Sequence, residues 1–380
     1  MEEKVYDLIA TTVFGLESVV KEECEKLGFE NITVSNGKVE FTGGQKEIAR
    51  ANLWLRSSER VLIKLAEFEA LTYDDLFDNT KAIPWVNYLS KEGKFIVNAK
   101  SVKSKLMSNS DNQSIVKKAI IDNLSKEFDI IWFKEDGERY RIDVSILKDM
   151  ATVTLDTSGA GLHKRGYRLE QTIAPMKETL AAALVQLSSW TYDRPLVDLF
   201  CGSGTILLEA AMIGKNIAPG IQRDFDFCHW TFFDQSIFRE EKTKAYEAIR
   251  DVELDITGFD IDPKAIKIAR NNAVNADLDT DIKFVTKDMK DVGLLNNFGV
   301  IISNPPYGER IGDEKMLEEI YQNLKLLMKK ISTWSIYLIT SDKDLEEKLN
   351  KLSDRKRKLF NGRIEVDYYY FIGPDPSLLK

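Results

Sequence analysis

The sequence predicts an α/β fold in which a mostly parallel, doubly wound sheet follows an α+β region. From residue 173 onward, apolar strand-like runs alternate with helical patterns, as in parallel sheets covered by helices on both faces. The first 66 residues instead follow the order β-α-β-β-α-β of a ferredoxin-like motif. Because 380 residues exceed what one hydrophobic core usually supports, we expect three domains, at 1–66, 67–160 and 161–380.

The composition excludes several classes of protein. Hydrophobic residues make up 43% and charged residues 30%, which excludes a disordered or collagenous chain. No apolar run approaches the roughly 18–20 residues of a membrane helix, and the acidic N-terminus does not resemble a signal peptide. Three separated cysteines and two histidines provide neither a disulfide framework nor a zinc site. We therefore expect a cytoplasmic protein without a metal or a membrane partner.

The N-terminal elements follow from the spacing of apolar residues. Apolar residues recur at helical spacing over Leu16–Leu27, and Gly28 is well placed to end that helix. The dipeptide Asn36-Gly37 separates two short strand-like runs and predicts a hairpin. The expected strands are Tyr6–Ala10, Ile32–Val34, Lys38–Phe41 and Arg60–Ala66, with a second helix that ends near Leu55.

Basic residues concentrate in the middle of the chain. From Lys94 to Arg168 there are 14 Lys and Arg against 10 Asp and Glu, a local charge of +4 in a protein of net charge −8. Phosphate contacts need such residues, so the segment indicates a nucleic-acid partner, with a solvated lysine-rich surface as the alternative. We expect a strand from Lys94, a helix at Gln113–Phe128 and two paired strands. The candidate RNA-binding residues are Lys94, Lys100, Lys103 and Lys105, with Lys164, Arg165 and Arg168 of the linker GLHKRGYR.

The C-terminal half predicts five strands that alternate with helices, followed by a hairpin. The hairpin is centred on Asn361-Gly362, and such an antiparallel ending is unusual for dehydrogenases of the Rossmann type. The strands are PLVDLF, DITGFDI, IKFVTKD, GVIISNPP and SIYLITSD, and the helices lie at about Lys177–Trp190, Gly204–Met212, Pro263–Ala276 and Glu314–Ile331.

A glycine turn follows the first of these strands, in VDLFCGSGTILLEAA. Its glycines allow a tight turn and the close approach of a ligand at the carboxyl end of a strand. The third glycine of the dinucleotide fingerprint is absent, because Leu207 occupies its position, and Asp198 can accept from a ligand amine. These features favour S-adenosylmethionine (SAM), whose ammonium needs an acceptor, over a pyrophosphate cofactor. The residues placed at the cofactor are Asp198, Phe200, Gly202, Gly204 and Thr205.

Two acidic strand ends extend the expected cofactor site. Asp260 ends the strand of GFDIDPKAIKIARNNA, where a carboxylate can accept both ribose hydroxyls of a nucleoside, and Ile261 follows it. Asp288 ends the next strand, in VTKDM, where it can accept from an adenine amino group while Met289 covers the ring. Taken alone, an acidic residue after a strand is weak evidence of a site.

An aromatic stretch, FDFCHWTFFDQSIF, lies between Asp198 and Asp260 and lengthens that interval. We interpret it as a local core followed by an amphipathic helix, rather than as a surface on which bases stack. His229 is assigned to the same core.

The motif Asn304-Pro305-Pro306-Tyr307, at the end of the fourth strand, indicates the chemistry. An exocyclic amino group on a base is a poor nucleophile, because its lone pair is delocalised into the ring. The side-chain carbonyl of Asn304 and the backbone carbonyl of Pro305 can each accept one N–H, which aims the lone pair at a methyl donor. Pro306 stiffens the loop, and Tyr307 offers a face to a flipped-out base. The motif therefore predicts methylation of an exocyclic amine.

The motifs DLFCGSGT, GFDID and NPPYGER resemble those of class I SAM-dependent methyltransferases that act on exocyclic amines. With its ferredoxin-like start and basic middle segment, the whole chain resembles the THUMP-domain RNA methyltransferases. Within them it is closest to the N-terminal half of the fused bacterial 23S rRNA guanine-N2 methyltransferases. The resemblance implies a Rossmann-like catalytic domain after a THUMP RNA-binding domain, SAM as cofactor and RNA as partner. It also implies that the stretch around Pro175, Lys177 and Glu178 packs beside the cofactor.

The resemblance leaves two RNA substrates open. The expected reaction is in-line methylation of guanine N2 in 23S rRNA, and the alternative is a tRNA guanine-N2 enzyme of similar layout. A DNA adenine-N6 methyltransferase is less favoured, because no DNA-reading helix is recognisable. A non-catalytic RNA-binding protein is disfavoured by the intact Asn304 and Tyr307. Because the chain ends after one catalytic domain, we do not expect the second activity of the fused enzymes. The target nucleotide and the oligomeric state stay open.

Overall fold

The structure, a computed structural model, describes residues 4–169, 176–294, 297–306 and 314–374. The chain divides into two compact units. The first unit contains the residues up to Thr12, Lys21–Leu162 and Arg223–Lys244, and the second contains Val13–Val20, His163–Gln222 and the residues from Ala245 onward. Each unit therefore includes one segment from the opposite half of the sequence.

One seven-stranded sheet organises the first unit. Its strands are β1 (Tyr6–Thr11), β2 (Glu30–Ser35), β3 (Lys38–Gly43), β4 (Arg60–Glu69), β5 (Lys94–Val102), β6 (Arg139–Leu147) and β7 (Met150–Asp156). The strand order is β2-β3-β1-β4-β7-β6-β5, and every neighbouring pair is antiparallel except β5 and β6. The ferredoxin-like order of the first four strands is confirmed. Because β4 pairs with β7, the ferredoxin-like and THUMP regions share the sheet, and residue 66 lies inside β4.

Two of the four helices that the structure describes in this N-terminal region begin at a side chain that caps them, Thr72 for the third helix and Ser108 for the fourth. The four helices are α1 (Glu17–Lys26), α2 (Gln45–Trp54), α3 (Tyr73–Lys81) and α4 (Asn109–Phe128). Helix α4 begins earlier than the sequence pattern predicts, because the Ser108 hydroxyl accepts a hydrogen bond from the Asp111 N–H at 3.3 Å. Helix α3 is not predicted from apolar spacing; its signal is the pair Thr72 and Asp75, which form a capping box.

Arg223–Lys244 packs into the first unit and supplies part of its core. The ring of Trp230 stacks on Tyr140 with centroids 5.5 Å apart. The interpretation of the aromatic stretch as a local core is confirmed, whereas the assignment of His229 to that core is wrong. The His229 side chain is 59% exposed, and its Nε2 lies 2.7 Å from Oδ2 of Asp224. The buried aromatic residues of the segment are Phe225, Phe227, Trp230, Phe233 and Phe238.

A second seven-stranded sheet organises the second unit. Its strands are β8 (Leu196–Asp198), β9 (Ile256–Asp260), β10 (Ile282–Thr286), β11 (Val300–Ser303), β12 (Ser335–Thr340), β13 (Arg355–Asn361) and β14 (Ile364–Phe371). The order is β10-β9-β8-β11-β12-β14-β13, parallel from β10 to β12, with β14 antiparallel to both of its neighbours. The predicted parallel sheet with an antiparallel terminal hairpin is confirmed.

Helices pack on both faces of this second sheet, as a doubly wound fold requires. One face buries Leu207 and Ile266 together with Tyr368, and the opposite face buries Leu324 with Tyr369. In the part of the chain that the structure describes, every helix is too short or too polar to cross a bilayer. The remaining helices of the chain are α5 (Glu178–Leu187), α6 (Thr205–Gly214), α7 (Gln235–Glu247), α8 (Pro263–Asn275), α9 (Glu314–Lys330) and α10 (Leu345–Leu349), of which α7 lies mostly in the first unit.

Candidate active site

A cavity of about 540 Å³ lies at the carboxyl ends of β8, β9, β10 and β11. Open α/β sheets bind ligands at this edge, and the volume suits a small-molecule cofactor. Most of the predicted site residues meet here. The cavity is lined by Asp198, Phe200, Gly202 and Thr205 after β8, by Asp260 and Ile261 after β9, by Asp288 and Met289 after β10, and by Asn304, Pro305 and Pro306 after β11.

The turn after β8 has a backbone shape that requires glycine. Gly202 and Gly204 have φ angles of +53° and +82°, in the left-handed region. A Cβ atom on Gly204 would lie 2.9 Å from the Phe284 ring, so any side chain there would displace the ring. The turn ends at Thr205, the first residue of α6, whose side chain lies on the cavity wall.

Asp260 is fixed by two backbone hydrogen bonds. Its Oδ2 accepts from the Gly202 N–H at 2.9 Å, and its Oδ1 accepts from the Asp262 N–H at 2.9 Å. These bonds join the glycine turn to the end of β9 and orient the carboxylate at the cavity. Each oxygen keeps further accepting capacity, so the pair suits the two hydroxyls of a ribose.

Asp198 is a buried carboxyl group on the cavity wall, only 1% exposed. Burial raises its pKa to about 7, although hydrogen bonds from the Phe200 N–H (3.0 Å) and the Ser303 side chain oppose the rise. A buried carboxylate needs a cationic partner at neutral pH, and the ammonium group of SAM is such a partner.

The affinity for SAM is expected to fall as the pH drops below 7. Protonation of Asp198, whose pKa burial raises to about 7, removes the negative charge that the SAM ammonium requires. The dissociation constant should rise by up to about tenfold for each pH unit below that pKa and level off above it. Calorimetric titration of SAM on both sides of pH 7 measures this. Asp198→Asn is the control and should bind SAM weakly at every pH. A constant affinity across pH 7 in the unaltered protein would remove Asp198 as the ammonium acceptor.

Asp288 already has partners within the protein. Its Oδ1 accepts from the Lys290 N–H at 3.1 Å, and its Oδ2 lies 3.1 Å from Nζ of Lys290. The carboxylate therefore caps the short turn that starts at Met289, a buried residue on the cavity wall. This arrangement holds Asp288 at the cavity, where its remaining lone pairs can accept from an adenine amino group.

Asn304 presents an unused acceptor at the cavity. Its Oδ1 is buried and has no hydrogen-bond partner within the described ranges of the chain. Leaving a buried carbonyl oxygen unpaired is unfavourable by about 1–3 kcal/mol, so a ligand donor is expected there. The preceding residue, Ser303, accepts from the Leu199 N–H at 2.9 Å, which ties the end of β11 to the end of β8. The Asn-Pro-Pro segment is thereby held beside the glycine turn.

Four predicted cofactor and catalytic residues are placed differently or lie outside the described residues. Gly204 is not among the residues that line the cavity, and a Cβ atom on it would point at the Phe284 ring. Glu178 is buried and is not among the residues that line the cavity. Pro175 and Tyr307 lie outside the described residues.

Two arginines of the linker form ion pairs with carboxylates of the second unit. These pairs do not support the prediction that the two arginines bind RNA. The Arg165 side chain is 2% exposed, and its Nε and Nη2 each lie 3.2 Å from a carboxylate oxygen of Glu209. The Arg168 side chain is 12% exposed and lies 3.0 Å from Glu178. Lys164 is exposed and stays a candidate.

The four lysines of the THUMP region that were predicted to bind RNA are exposed, but one of them lies apart from the other three. Lys100 lies near the end of β5, with Lys103 and Lys105 in the loop that follows. Lys94 begins the same strand, six residues earlier, about 20 Å from Lys100 at the usual rise of an extended chain. The structure therefore groups three of the four.

Several cavity residues were not predicted from the sequence. Helix α9 follows the Asn-Pro-Pro segment in the chain and therefore begins at the same edge of the sheet. From this order, residues of its first turns could have been predicted to line the cavity. The additional lining residues include Met176, Ser203, Lys290, Met316, Glu319, Ile320 and Asn323.

These residues fit SAM. Asp198 would hold its ammonium, Asp260 its ribose, and Asp288 with Met289 its adenine, around a turn that leaves room for a close approach. When bound, SAM supplies an electrophilic methyl group. Burial raises the pKa of Cys201 well above its usual value, so its thiol is neutral and packs beside the turn. Among the described residues, no group of three or more His, Cys, Asp and Glu side chains is arranged to hold a metal ion.

Three family models match consecutive parts of the chain. The RMKL-like methyltransferase domain matches residues 165–369, the THUMP domain matches 70–156, and the RlmL ferredoxin-like domain matches 7–62. The first of these covers more than half of the chain.

Similar proteins cover nearly the whole chain. YpsC of Bacillus subtilis, described by its name as a candidate RNA methyltransferase, is 48% identical over 371 residues, 97% of this chain and 96% of YpsC. A crystal structure from Listeria monocytogenes, named as a predicted N6-adenine-specific DNA methylase, is 46% identical with a TM-score of 0.93 over 98% of this chain and 97% of that one.

A third relative was crystallised with the product that SAM leaves after methyl transfer. SMU.472, described as a candidate methyltransferase and crystallised with S-adenosylhomocysteine (SAH), is 43% identical with a TM-score of 0.94 over 99% of this chain and 100% of that one. The sequence prediction of a THUMP-containing methyltransferase agrees with these matches. The chain therefore belongs to the RMKL-like methyltransferase family, with SAM as its cofactor and a ferredoxin-like and THUMP region ahead of its methyltransferase domain.

Proposed function

We propose that the protein is an RNA methyltransferase that transfers a methyl group from SAM to the exocyclic N2 amine of a guanine, with 23S rRNA as its substrate. The observation that carries amine methylation is the buried, unpartnered Oδ1 of Asn304 on the wall of the cofactor cavity. An amine that donates one N–H to this oxygen and the other to the Pro305 carbonyl would have its lone pair free for methyl transfer.

Asn304 and Pro305 act as hydrogen-bond acceptors and not as bases. Donating two hydrogen bonds localises the lone pair on the nitrogen and stabilises the positive charge that develops there during transfer. A carbonyl is too weak a base to take up the amine proton, which leaves to water afterwards. Pro306, also on the cavity wall, has no N–H to compete for these acceptors. Tyr307 follows directly in the chain and is proposed to stack on the target base.

The proposal of RNA as the partner rests on the N-terminal half of the chain. Residues 70–156 match the THUMP domain, and YpsC carries RNA methyltransferase in its name. The proposal of guanine N2 in 23S rRNA rests on the match of residues 7–62 to the RlmL ferredoxin-like domain and on the resemblance of the whole chain to the fused 23S rRNA enzymes.

The end of β5 and the loop that follows it carry three lysines, Lys100, Lys103 and Lys105, which supply a basic surface in the THUMP region. The loop is held against the turn between β6 and β7, since Lys148 N–H donates to the Val102 carbonyl at 3.2 Å and Asp149 N–H donates to the Ser104 hydroxyl at 3.0 Å. The Lys105 N–H closes the arrangement by donating to Asp149 at 2.6 Å. With Lys148 of the turn between β6 and β7, this surface has four exposed cations, and we propose that they contact RNA phosphates.

Replacing Lys100, Lys103 and Lys105 together by Ala should weaken RNA binding across sequences. The slope of log affinity against log salt should become shallower by about 0.7–0.9 for each phosphate that the variant no longer neutralises. SAM affinity should not change, since these lysines and the cofactor cavity lie in different units. Filter binding at several salt concentrations measures the slope.

The matched control removes the same charge elsewhere on the first unit, through Lys91, Lys118 and Lys126 to Ala, all exposed. This variant should keep most of the RNA affinity and the original slope. Equal slopes for both triple variants and the unaltered protein would contradict the assignment of the loop to RNA.

DNA adenine-N6 methylation is the second candidate, because the Listeria monocytogenes relative carries that name. The two acceptors at Asn304 and Pro305 suit the exocyclic amine of adenine as well as that of guanine. RNA is favoured here because the chain contains a THUMP region with an exposed basic loop.

Nucleoside mapping in a deletion strain tests the proposed substrate. Mass spectrometry of digested RNA should show loss of one N2-methylguanosine from 23S rRNA, with restoration by the intact gene. Loss from tRNA would transfer the proposal to the tRNA alternative. Unchanged N2-methylguanosine in both RNAs would overturn it.

A further inference from the structure

Arg168 joins the linker to two parts of the cofactor cavity wall. Its Nη2 donates to the Thr205 hydroxyl at 2.7 Å and to the Met176 carbonyl at 3.0 Å, and both of those residues line the cavity. We propose that Arg168 is a positioning residue of the SAM site, which holds the first turn of α6 and the backbone at Met176 in the arrangement that binds SAM.

The other edge of the Arg168 guanidinium forms an ion pair with Glu178. Its Nε lies 3.0 Å from Oε1 of Glu178, the first residue of α5, whose side chain is 7% exposed. Burial raises the pKa of Glu178 and the positive charge of Arg168 opposes that rise, so the two side chains depend on each other. A planar guanidinium can meet a carboxylate, a hydroxyl and a carbonyl at once, which a single ammonium group cannot do with the same geometry.

A second anchor fixes the same linker one turn further along α6. The Arg165 guanidinium and the Tyr167 hydroxyl both donate to Glu209, which is fully buried. Thr205 and Glu209 are four residues apart, so they lie on one face of the helix. The linker therefore runs along α6 and contacts it at both positions, which fixes the backbone of Arg168 relative to Thr205.

The consequence for binding follows from the position of Thr205. Thr205 is the first residue of α6 and directly follows the Gly202–Gly204 turn. Loss of the hydrogen bond from Arg168 to Thr205 would therefore loosen the turn that approaches the cofactor. Asn304 follows a different strand, β11. The end of that strand is held by a separate hydrogen bond, from the Leu199 N–H to the Ser303 hydroxyl. Loss of Arg168 should therefore weaken SAM binding and leave the amine-holding residues in place.

The test compares Arg168→Ala with Lys164→Ala, a neighbouring exposed cation of the same linker. Arg168→Ala should raise the SAM dissociation constant and the KM for SAM by about tenfold, the effect of removing one or two hydrogen bonds to a charged group. Its kcat at saturating SAM, its RNA affinity and the salt slope of RNA binding should stay near those of the unaltered protein. Lys164→Ala should leave the SAM dissociation constant unchanged.

A double-mutant cycle distinguishes positioning from a general loss of stability. If Arg168 acts through Thr205, adding Thr205→Ala to Arg168→Ala should raise the SAM dissociation constant no further than the larger single change. Should Arg168→Ala fail to fold, Arg168→Lys keeps the charge beside Glu178 but cannot bridge all three partners, so it should bind SAM more weakly.

Two results would overturn the inference. Unchanged SAM affinity in folded Arg168→Ala or Arg168→Lys would remove Arg168 from the SAM site. A lower RNA affinity with a shallower salt slope and unchanged SAM affinity would make it an RNA-binding residue instead. SAM binding is measured without RNA, so this test stands apart from the proposed guanine-N2 activity.

Discussion

Asn304→Ala should lower the rate of methyl transfer by about 100-fold or more while leaving SAM affinity nearly unchanged. Removal of a hydrogen-bond group that stabilises charge in a transition state has effects of this size. The Oδ1 of Asn304 has no partner in the described ranges of the chain, so its removal breaks no internal hydrogen bond of that oxygen. Single-turnover methylation of RNA gives the rate, and calorimetry gives the SAM dissociation constant.

The control for this change is Asn79→Ala, the same substitution at an exposed position of α3 in the other unit. It should methylate RNA at the unaltered rate. If folded Asn304→Ala also transfers methyl groups at that rate, the two-acceptor mechanism is wrong.

Asp260→Ala should weaken SAM binding by about 1.5–3 kcal/mol, the range for hydrogen bonds to a charged group, or roughly 10- to 100-fold in dissociation constant. Two effects add here. The ribose hydroxyls lose their acceptor, and the Gly202 and Asp262 N–H groups lose the carboxylate that fixes the turn. Calorimetry with SAM measures the change.

Asp279→Ala is the matched control, since it removes an exposed carboxylate of the same unit that does not line the cavity. Its SAM affinity should equal that of the unaltered protein. Asp260→Asn should fall between the two, because one amide oxygen can still accept. Unchanged affinity in Asp260→Ala would exclude Asp260 from the cofactor site.

The sequence predicted the cofactor edge of the sheet because its signals are local. A buried strand followed by Gly202 and Gly204 admits few backbone shapes, and both residues have the positive φ angles that such a turn requires. Carboxyl ends of parallel strands meet at one edge, so Asp260, Asp288 and Asn304 were expected to converge, and they line one cavity.

The internal ion pairs of the linker were not predicted, because the partners are distant in sequence. Arg165 and Arg168 have the pattern of surface cations, yet the partner of Arg165 is Glu209, 44 residues later. A signal was present: Glu209 is the one acidic residue in the apolar helix TILLEAAMIG, and a buried carboxylate there requires a cation. Which cation would pair with it depends on tertiary packing, which local periodicity does not contain.

Transfer of an isotopically labelled methyl group decides whether the protein methylates guanine N2 in RNA. The purified protein would be incubated with methyl-labelled SAM and, separately, with RNA and genomic DNA from a strain that lacks the gene, followed by digestion and mass spectrometry of the nucleosides. Label is expected in N2-methylguanosine from RNA, and much less of it with Asn304→Ala. Label in N6-methyladenine from DNA, with none in RNA guanine, would contradict the proposed guanine-N2 activity.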